Sequence, residues 1–414
     1  MKLGELIEIK HGYAFSGEHI VEDDNGIVLV TPGNFRIGGG FKEEKCKFFD
    51  GEIPADYVLK EGDFIVTMTD LSKTIDTLGY SALVPKSKRT YLHNQRIGLV
   101  TFKSDECDRG YIYWLMRTRE YQRSIANTST GATVHHTSPK KIYDYDLEVP
   151  PLPIQHRIAT ILSRYDSLIE NYQKQIKLLE EAAQRLYKEW FIDLRFPGHE
   201  NTKIVDGLPE GWEKKKLHEI AEVVMGSSPK SEFYNNDKQG LPFHQGVGSY
   251  GTRFVDDNVY STSITRLAEP NSILFSVRAP VGRLNITKNK IIIGRGLAAM
   301  NHKDGFQSFL FYMLKERFFM DNIIGNGSIF ASISKVELLD QEFIVPPMKT
   351  IMAFESLASK LDKKIQGVDT QLRLLTEARD RLLPKLMSGE LTLEARAEKE
   401  DLLATPCKGG DEAK

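Results

Sequence analysis

The sequence predicts an α/β protein in which two α/β globules are separated by two long helices that form an intramolecular coiled coil, with pseudo-two-fold symmetry. Three observations lead to this fold. The chain repeats part of itself, each repeat carries one long run of apolar residues at helical spacing, and the remaining segments mix strand-like runs with short helical stretches. A length of 414 residues exceeds one ordinary core and agrees with several units.

The repeat is clearest around the start of each long helix. Residues 149–151 and 345–347 both read Val-Pro-Pro, at a shift of 196 positions (149 to 345). The same shift pairs further identical residues downstream, which include Ser163 with Ser359, Asp166 with Asp362, Ile169 with Ile365, Gln175 with Gln371, Leu178 with Leu374 and Glu181 with Glu377. Two copies of one connecting segment are therefore present.

A second pair of matching segments opens the two halves. Residues 3–12 read LGELIEIKHG, and residues 217–226 read LHEIAEVVMG. Leu, Glu, a branched apolar residue and a final Gly recur in the same order. Between these anchors the halves diverge, so we infer an old duplication in which the globules changed more than their connections.

Apolar residues spaced by three and four predict the two helices. The first runs from Ile154 to Trp190, about 37 residues or about 55 Å. The second runs from Phe354 to Leu386, and Pro384 is expected to kink its last turns. Because the other faces are charged, we expect each helix to bury its apolar seam against the other. The predicted helix–helix interface comprises Ile158, Ile161, Tyr165, Leu168, Tyr172, Leu179, Leu186, Leu357, Leu361, Ile365, Val368, Leu372, Leu375 and Leu382.

Strand-like runs such as 64–68 and 273–277 lie in the globules, together with short helical stretches such as 111–123. The acidic, small-residue sequence after Gly389 predicts a mobile tail. The predicted organisation is residues 1–150 for the first globule, 151–196 for the central helix, 197–345 for the second globule, 346–389 for the distal helix and 390–414 for the tail.

Composition narrows the class of protein. Fifty-five Lys and Arg against 57 Asp and Glu give a net charge of −2, so a surface for nucleic acid must be a local patch. No apolar run approaches the roughly 18 residues of a membrane span. Three widely separated cysteines and a polar N-terminus do not suggest a disulfide framework or a secretory signal, so we expect a cytoplasmic location.

Motifs of familiar enzymes are weak in this sequence. It has no Gly-Lys dipeptide, hence no Walker A phosphate loop, and no His-Glu-x-x-His zinc motif. Residues 246–251 match the Gly-x-Gly-x-x-Gly dinucleotide fingerprint, but no strand–helix context surrounds them. These observations disfavour NTP hydrolysis, and we expect no metal and no cofactor to be bound by this chain.

A family resemblance appears when the motifs are taken in order. A Leu-Pro-x-Gly-Trp segment at 208–212 precedes 217–220, a Gly-x₆-Ser segment precedes each Val-Pro-Pro, and a long helix follows each. Together they resemble the specificity subunit of type I restriction-modification enzymes over nearly the whole chain. The first copy departs from the pattern because it starts at Met1 without the Pro-x-Gly-Trp lead-in, and the tail past Gly389 is not a family feature.

The resemblance implies that each globule is a target-recognition domain that reads one half of a bipartite site in double-stranded DNA. The two long helices would pack antiparallel and would set the unspecified spacer between the half-sites. The chain itself would be non-catalytic and would direct adenine-N6 methylation and restriction by its partners. These partners would be two methyltransferase subunits that carry S-adenosylmethionine, and restriction and translocase subunits that use ATP and Mg²⁺.

Base reading requires donors and acceptors that reach base edges, chiefly Arg, Asn and Gln, while Lys, Ser and Thr commonly contact phosphates. We selected residues of these types, and His, beside glycine-rich or strand-ending positions. The DNA-binding candidates are Asn34, Arg36, Thr69, Lys73, His93, Gln95 and Arg96 in the first globule, and His244, Gln245, Arg253, Arg278, Arg283 and Arg295 in the second.

Two other functions stay open at this point. The chain could be a DNA-independent adaptor whose helical rod spaces two protein-binding domains. It could also be a self-sufficient enzyme with a concealed site, which the missing motifs disfavour. Salt-sensitive DNA binding in the presence of a methyltransferase partner distinguishes the first possibility from DNA recognition.

Overall fold

The computed structural model describes residues 1–393 apart from Lys45, Lys73, 104–105 and 320–331. Most of the predicted tail, residues 394–414, thus lies outside the described residues. The chain divides into two compact units. Unit 1 combines Met1–Glu170 with the chain from Leu372 onward, and unit 2 is Asn171–Gln371. Each long helix therefore contributes one part of its length to unit 1 and the other part to unit 2.

In its described residues, unit 1 contains two main sheets and four short helices besides its share of the long helices. In chain order its elements are α1 (Leu3–Leu6), β1 (Ile7–His11), β2 (Ile20–Val21), β3 (Ile27–Val30), β4 (Lys47–Phe49), β5 (Val58–Leu59), β6 (Phe64–Thr67), β7 (Thr69–Asp70), β8 (Ser81–Leu83), β9 (Thr90–His93), β10 (Ile97–Phe102), α2 (Arg109–Leu115), α3 (Arg119–Asn127), β11 (His135–His136) and α4 (Pro139–Tyr143).

Helix α5 (Leu152–Phe191) follows unit 1's sheets, and the elements of unit 2 come after it. They are β12 (Ile204–Val205), β13 (Leu208–Pro209), β14 (Glu213–Lys216), α6 (Leu217–Ile220), β15 (Ala221–Met225), β16 (Tyr234–Asn235), β17 (Leu241–His244), β18 (Tyr260–Ser261), β19 (Leu267–Ala268), β20 (Ile273–Ser276), β21 (Leu284–Ile286), β22 (Ile291–Ile293), β23 (Leu297–His302), α7 (Gln307–Phe319), α8 (Lys335–Leu339) and β24 (Glu342–Val345), after which helix α9 covers Met348–Met387.

The two units share one sheet topology. Unit 1 has an antiparallel sheet of order β1-β10-β6-β8 and a five-stranded sheet of order β2-β4-β3-β9-β5, in which β3 and β9 are parallel. Unit 2 repeats both, with the orders β15-β23-β20-β21 and β16-β18-β17-β22-β19, and β17 parallel to β22. The predicted duplication and the mixed α/β class are confirmed by this topology, which persists although the sequences of the sheets have diverged.

The matching segments at 3–12 and 217–226 have the same structural role in the two units. Glu5 accepts a hydrogen bond from the backbone N–H of Lys2 (2.8 Å) and caps the one-turn helix α1. Glu219 does the same for Lys216 (2.7 Å) at α6. The flanking apolar residues of both motifs are buried, and each helix leads directly into the edge strand of its antiparallel sheet.

Both long helices form as the heptad pattern predicts, and each has 40 residues. Pro384 lies inside α9, three residues before its end. In unit 1, Ile158 and Leu162 of α5 share a core with Leu386 of α9. In unit 2, Tyr187 of α5 packs edge-on against Phe354 of α9, with ring centres 5.8 Å apart.

The predicted helix–helix interface needs correction at two positions. Leu168 and Leu357 are 45% and 43% exposed, so both point away from the buried seam. The core of α5 instead passes through residues that repeat every seven positions. These are Leu162, Ile169, Ile176 and Ala183. On α9, Ile365 and Val368 are buried as predicted, and Leu186, Leu361, Ile161 and Leu382 pack against the cores of their own units.

Candidate nucleic-acid interface

Unit 1 presents polar side chains at the tight turn between β9 and β10. Gln95 and Arg96 are exposed there, two residues and one residue, respectively, before the buried strand β10 begins. The turn is held by main-chain bonds, because Gln95 N–H donates to Tyr13 O (2.9 Å) and Met68 N–H donates to Arg96 O (2.9 Å). The second bond places the loop that follows β6 directly beside the turn. Two loops therefore meet at one edge of unit 1.

The loop that follows β6 is built around a buried carboxylate. Asp70 is 1% exposed, and it accepts hydrogen bonds from the backbone N–H groups of Ser72 (2.6 Å), Thr77 (2.6 Å) and Leu78 (3.0 Å). Burial alone would raise the pKa of Asp70, but the hydrogen bonds from Ser72 and Thr77 outweigh it and hold the pKa below its usual value. The carboxylate thus fixes the loop whose tip carries the exposed Leu71. The candidate Lys73 of this loop lies outside the described residues.

Unit 2 has the same arrangement at the turn between β22 and β23. Arg295 is exposed in this turn, and Gly296 N–H donates to Gln245 O (3.1 Å), which places the exposed Gln245 at its side. Val277 N–H donates to Gly296 O (2.9 Å), so the loop after β20 lies beside the turn as the loop after β6 does in unit 1. The next residue, Arg278, is exposed.

Main-chain bonds refine the correspondence between the two turns. Ile97 N–H donates to Asn94 O in unit 1, and Leu297 N–H donates to Gly294 O in unit 2. Counting from these bonds, Arg295 occupies the place of Gln95. Both turns expose long side chains with hydrogen-bond donors.

The loop between β20 and β21 carries two exposed arginines. Arg278 and Arg283 flank its tip, which contains the cis Ala279–Pro280 bond. Ser276 Oγ donates to Pro280 O (2.6 Å) and accepts from Arg283 N–H (2.8 Å). The hydroxyl of Ser276, at the end of strand β20, therefore holds this loop in place from inside. Ser276 was not among the residues predicted from the sequence.

Close packing of backbone supports each turn. A Cβ on Gly12 would lie 2.2 Å from Asn94 O, and a Cβ on Gly226 would lie 2.1 Å from Gly294 O. Only glycine lets the segment after β1 or β15 pass this close to the turn. The two glycines that the sequence comparison aligned therefore serve the same contact in both units.

Five of the predicted DNA-binding residues are buried, and for these the prediction is wrong. The structure uses their polar atoms inside the unit, because a buried polar side chain must find a hydrogen-bond partner there. The five residues and their exposed fractions are Asn34 (1%), Thr69 (3%), His93 (1%), His244 (1%) and Arg253 (3%).

The buried residues of unit 1 hold loops and turns in place. Asn34 Oδ1 accepts from Thr31 N–H (2.9 Å), and its Nδ2 donates to Lys42 O (3.2 Å). His93 hydrogen-bonds through Nε2 to Ile97 O (2.9 Å) across the β9–β10 turn, and burial lowers the pKa of its imidazole. Thr69 bonds to His136 Nδ1 (3.1 Å). These three side chains stabilise loops at the exposed edge of unit 1, but they do not project from its surface.

His244 is the centre of a hydrogen-bonded chain in unit 2. Its Nδ1 bonds to Ser249 Oγ (2.7 Å) and its Nε2 to Asp257 Oδ1 (2.9 Å), while Asn289 donates to the other oxygen of Asp257 (2.6 Å). A Ser–His–Asp order also occurs in hydrolases. Here the imidazole is fully buried, and the bonds tie the turn at 247–249 to the end of β17. The chain therefore fixes the backbone next to Gln245.

Arg253 connects the second globule to both long helices within unit 2. Its guanidinium donates to Asp362 of α9 (2.7 Å) and lies 3.6 Å from Glu180 of α5. Burial raises the pKa of Glu180, and the positive charge of Arg253 opposes that rise. The residue is an internal ion-pair partner and is not available to DNA.

Arg36 is exposed but belongs to a different part of unit 1. Its Nε donates to Phe41 O (3.1 Å), in the loop whose Gly38 O accepts from Arg117 (2.9 Å). Burial raises the pKa of Glu170 on α5, and the charge of Arg36 counteracts this rise. Arg36 therefore lies on the side of unit 1 that faces helix α5. The exposed candidates beside the turns are Gln95, Arg96, Gln245, Arg278, Arg283 and Arg295.

Neither a metal centre nor a membrane span is found in the part of the chain that the structure describes. No group of three or more His, Cys, Asp and Glu side chains there could hold a metal ion. Among the same residues, no helix has the length and apolar character needed to cross a membrane.

Comparison with known proteins identifies the family. Residues 1–181 and 209–367 match the family model described as type I restriction modification DNA specificity domain. The chain belongs to this family. It is similar to the type I restriction enzyme MjaIX specificity subunit of Methanocaldococcus jannaschii, with 30% identity over 69% of each chain. It is also similar to the EcoBI specificity subunit of Escherichia coli, with 22% identity over 98% of this chain and 88% of the relative.

A solved structure shares the fold. The specificity subunit from M. genitalium superposes with a TM-score of 0.57 at 17% identity, covering 94% of this chain and 95% of that one. As a type I specificity subunit, the chain is a non-catalytic DNA-recognition subunit that works in a complex with other restriction-modification subunits, which carry the catalytic activities.

Proposed function

We propose that each unit of this specificity subunit reads one half of a bipartite site in double-stranded DNA. The observation that carries the proposal is the repeated turn. At the same topological position, unit 1 exposes Gln95 and Arg96, and unit 2 exposes Arg295 beside Gln245. Arg and Gln are the side chains that make bidentate contacts with guanine and adenine in the major groove.

The loops beside the turns extend the proposed surface. Arg278 and Arg283 add two positive charges to unit 2, which suits contact with the phosphate backbone. They supply the local positive patch that a chain of net charge −2 requires in order to bind DNA. Two recognition domains that read different half-sites also explain why the strand order is the same in both units while the loop sequences have diverged.

We further propose that α5 and α9 form an intramolecular coiled coil, that the two halves of the chain are related by a pseudo-two-fold axis, and that the helices set the spacer between the half-sites. Both helices have 40 residues, about 60 Å each at 1.5 Å per residue. Buried residues on α5 recur every seven positions, which is the spacing of a coiled-coil seam. Half-site separation would then follow from helix length.

We propose a complex in which two methyltransferase subunits bind S-adenosylmethionine and methylate adenine N6, while restriction and translocase subunits use ATP and Mg²⁺. This chain would bind none of these cofactors itself. Exposed apolar side chains on the helices, such as Leu168, Leu178 and Leu374, offer contact area for such protein partners.

The test is to express the chain with its methyltransferase partner in cells and to sequence the methylated adenines. We expect one bipartite motif with a fixed gap. Arg96→Ala should relax the half-site of unit 1 alone, and Arg295→Ala the half-site of unit 2 alone, each by about 1–3 kcal/mol. Arg373→Ala is the matched control, because Arg373 is exposed on α9 and pairs with Glu377.

A DNA-independent adaptor would behave differently. The purified complex would then show no salt-sensitive affinity for duplex DNA. Methylation that ignores sequence, or identical motifs from all three variants and the wild type, would also count against DNA reading by these turns.

A further inference from the structure

Gln245 is held in a defined orientation by a serine of the neighbouring segment. Ser228 Oγ donates to Gln245 Oε1 at 2.7 Å, and the same hydroxyl oxygen accepts from Arg295 N–H at 3.1 Å. Ser228 thus connects the amide of an exposed glutamine to the backbone of the β22–β23 turn. A side chain fixed in this way loses less conformational entropy when it binds.

Two glycines make room for this arrangement. A Cβ on Gly294 would lie 2.6 Å from Gln245 Oε1, and a Cβ on Gly296 would lie 2.5 Å from Gln245 O. Any larger residue at either position would push Gln245 away from the turn. The two glycines that flank Arg295 therefore leave the space that Gln245 occupies beside the turn.

The backbone of Gln245 is also fixed. The preceding residue, His244, is buried and bonds to Ser249 (2.7 Å) and Asp257 (2.9 Å). Gln245 O accepts from Gly296 N–H (3.1 Å). Backbone and carboxamide oxygen are thus both positioned by neighbours, although the residue itself is exposed.

We propose that Gln245 reads an adenine in the half-site bound by unit 2, and that Ser228 is its positioning residue. Adenine presents N7, an acceptor, and N6, a donor, in the major groove, which match the amide Nε2 and Oε1 of glutamine. An amide oxygen has two lone pairs, so Oε1 can accept from Ser228 and from adenine N6 at once. Guanine presents an acceptor in place of N6 and would face Oε1 unfavourably. This inference rests on the proposed DNA-reading function.

The test uses the complex of the full chain with its methyltransferase partner. Binding is measured to a set of duplexes in which every position of the selected half-sites carries each of the four base pairs in turn. We expect Gln245→Ala to reduce discrimination at one A·T pair in the half-site of unit 2 by roughly 10-fold, the lower part of the range for a bidentate contact. Preferences at all other positions should stay as in the wild type.

Ser228→Ala should weaken discrimination at the same A·T pair by a smaller factor, because the glutamine keeps its chemistry but loses its fixed orientation. Its control is Ser227→Ala, since Ser227 is exposed and its backbone N–H pairs with Ile293 O. Gly294→Ala should reproduce the effect of Gln245→Ala, whereas Gly248→Ala should not, because a Cβ on Gly248 has open space around it. Thermal unfolding of each variant establishes that it is folded.

Several results would overturn the proposal. One is a unit 2 half-site without an A·T pair, another is unchanged discrimination by folded Gln245→Ala, and a third is an equal loss of affinity for all four bases. In these cases a wild-type complex that still selects a bipartite site leaves the proposed function intact. A wild-type complex that selects no sequence would overturn both.

Discussion

Asp166 of helix α5 accepts a hydrogen bond from Arg379 of helix α9 at 2.6 Å inside unit 1. Its other carboxylate oxygen binds Arg117, which is 5% exposed (2.5 Å). Burial would lower the pKa of Arg379, but Asp166 reverses this effect and raises that pKa. One carboxylate thus pairs with two partly or fully buried guanidinium groups and joins the segment after α2 to α5 and α9.

Replacing Asp166 by Asn should destabilise unit 1 by about 3–5 kcal/mol, because the buried Arg117 would lose its counter-charge and Arg379 would keep only the more exposed Asp380. Chemical denaturation at neutral pH measures this loss. Asp144→Asn is the matched control, since Asp144 lies 3.8 Å from Lys2 with 59% of its side chain exposed and should cost less than about 1 kcal/mol. Equal stabilities of the two variants would contradict the assigned role of Asp166.

Asp70 predicts a dependence of stability on acid. Its pKa is lower in the folded state, where hydrogen bonds from Ser72 and Thr77 overcome the effect of burial. In the unfolded chain the pKa of Asp70 is about 3.9, so as the pH falls Asp70 is protonated in the unfolded chain before it is protonated in the folded one. The stabilisation by Asp70 is complete above that value and is lost as the pH falls through the lower folded pKa.

Asp70→Asn should lower the free energy of unfolding at pH 7 by about 1.5–3 kcal/mol, because charge-assisted hydrogen bonds to three backbone N–H groups are weakened. It should also flatten the fall in stability below about pH 4. Urea denaturation from pH 7 to pH 2.5 measures both effects. The exposed Asp23→Asn serves as control, and the same acid profile for Asp70→Asn and the wild type would rule out this contribution.

Gly226→Ala should disturb the β22–β23 turn, because the new Cβ would lie 2.1 Å from Gly294 O. We expect a loss of about 1–3 kcal/mol from this overpacking, and weaker DNA binding by unit 2. Gly12→Ala should act in the same way on unit 1. Gly17→Ala is the control, since a Cβ there meets no atom within 4 Å. Denaturation midpoints and DNA titrations of the three variants test this prediction. If Gly226→Ala has the stability and DNA affinity of the wild type, the β22–β23 turn tolerates the added Cβ and the prediction is wrong.

The sequence revealed the framework of the fold better than the surface of its candidate site. Asp166 and Asp362 are recognisable as one repeated position, yet their arginine partners come from different elements. Arg117 follows α2, whereas Arg253 lies in a loop between β17 and β18. Nothing in the local sequence of Arg253 distinguishes an internal ion-pair partner from a DNA contact, because the difference depends on which carboxylates the fold brings near it.

The same reason explains the errors at Asn34, His93 and His244. Each follows or ends a buried strand, where an exposed polar side chain is a reasonable expectation, but each folds back to satisfy nearby backbone or side-chain groups. The exposed candidates Gln95 and Gln245 lie two residues after His93 and one residue after His244, respectively. Sequence reasoning thus selected turns that expose polar side chains, but it could not resolve which residue of each turn faces outward.

The proposed spacer role predicts that helix length controls the gap between half-sites. An insertion at Gln184 would break its bond to Glu316 (2.5 Å) beside the buried Ala183, so it would damage the core of unit 2. Seven residues inserted after Glu170 and seven after Gln371 would instead fall where the chain passes between units and would keep the heptad register.

Such an insertion lengthens each helix by about 10.5 Å, and if the helices follow the duplex this corresponds to about three base pairs at 3.4 Å each. Methylated-adenine sequencing should then show both half-sites unchanged and the gap longer by about three. Seven residues inserted in the exposed loop at 237–239 should leave the gap as it is, because that loop lies outside the helices. A folded, active double-insertion variant with the original gap, or with altered half-sites, would show that the helices do not set the spacing, and half-site separation would then have to come from the recognition units or their partners.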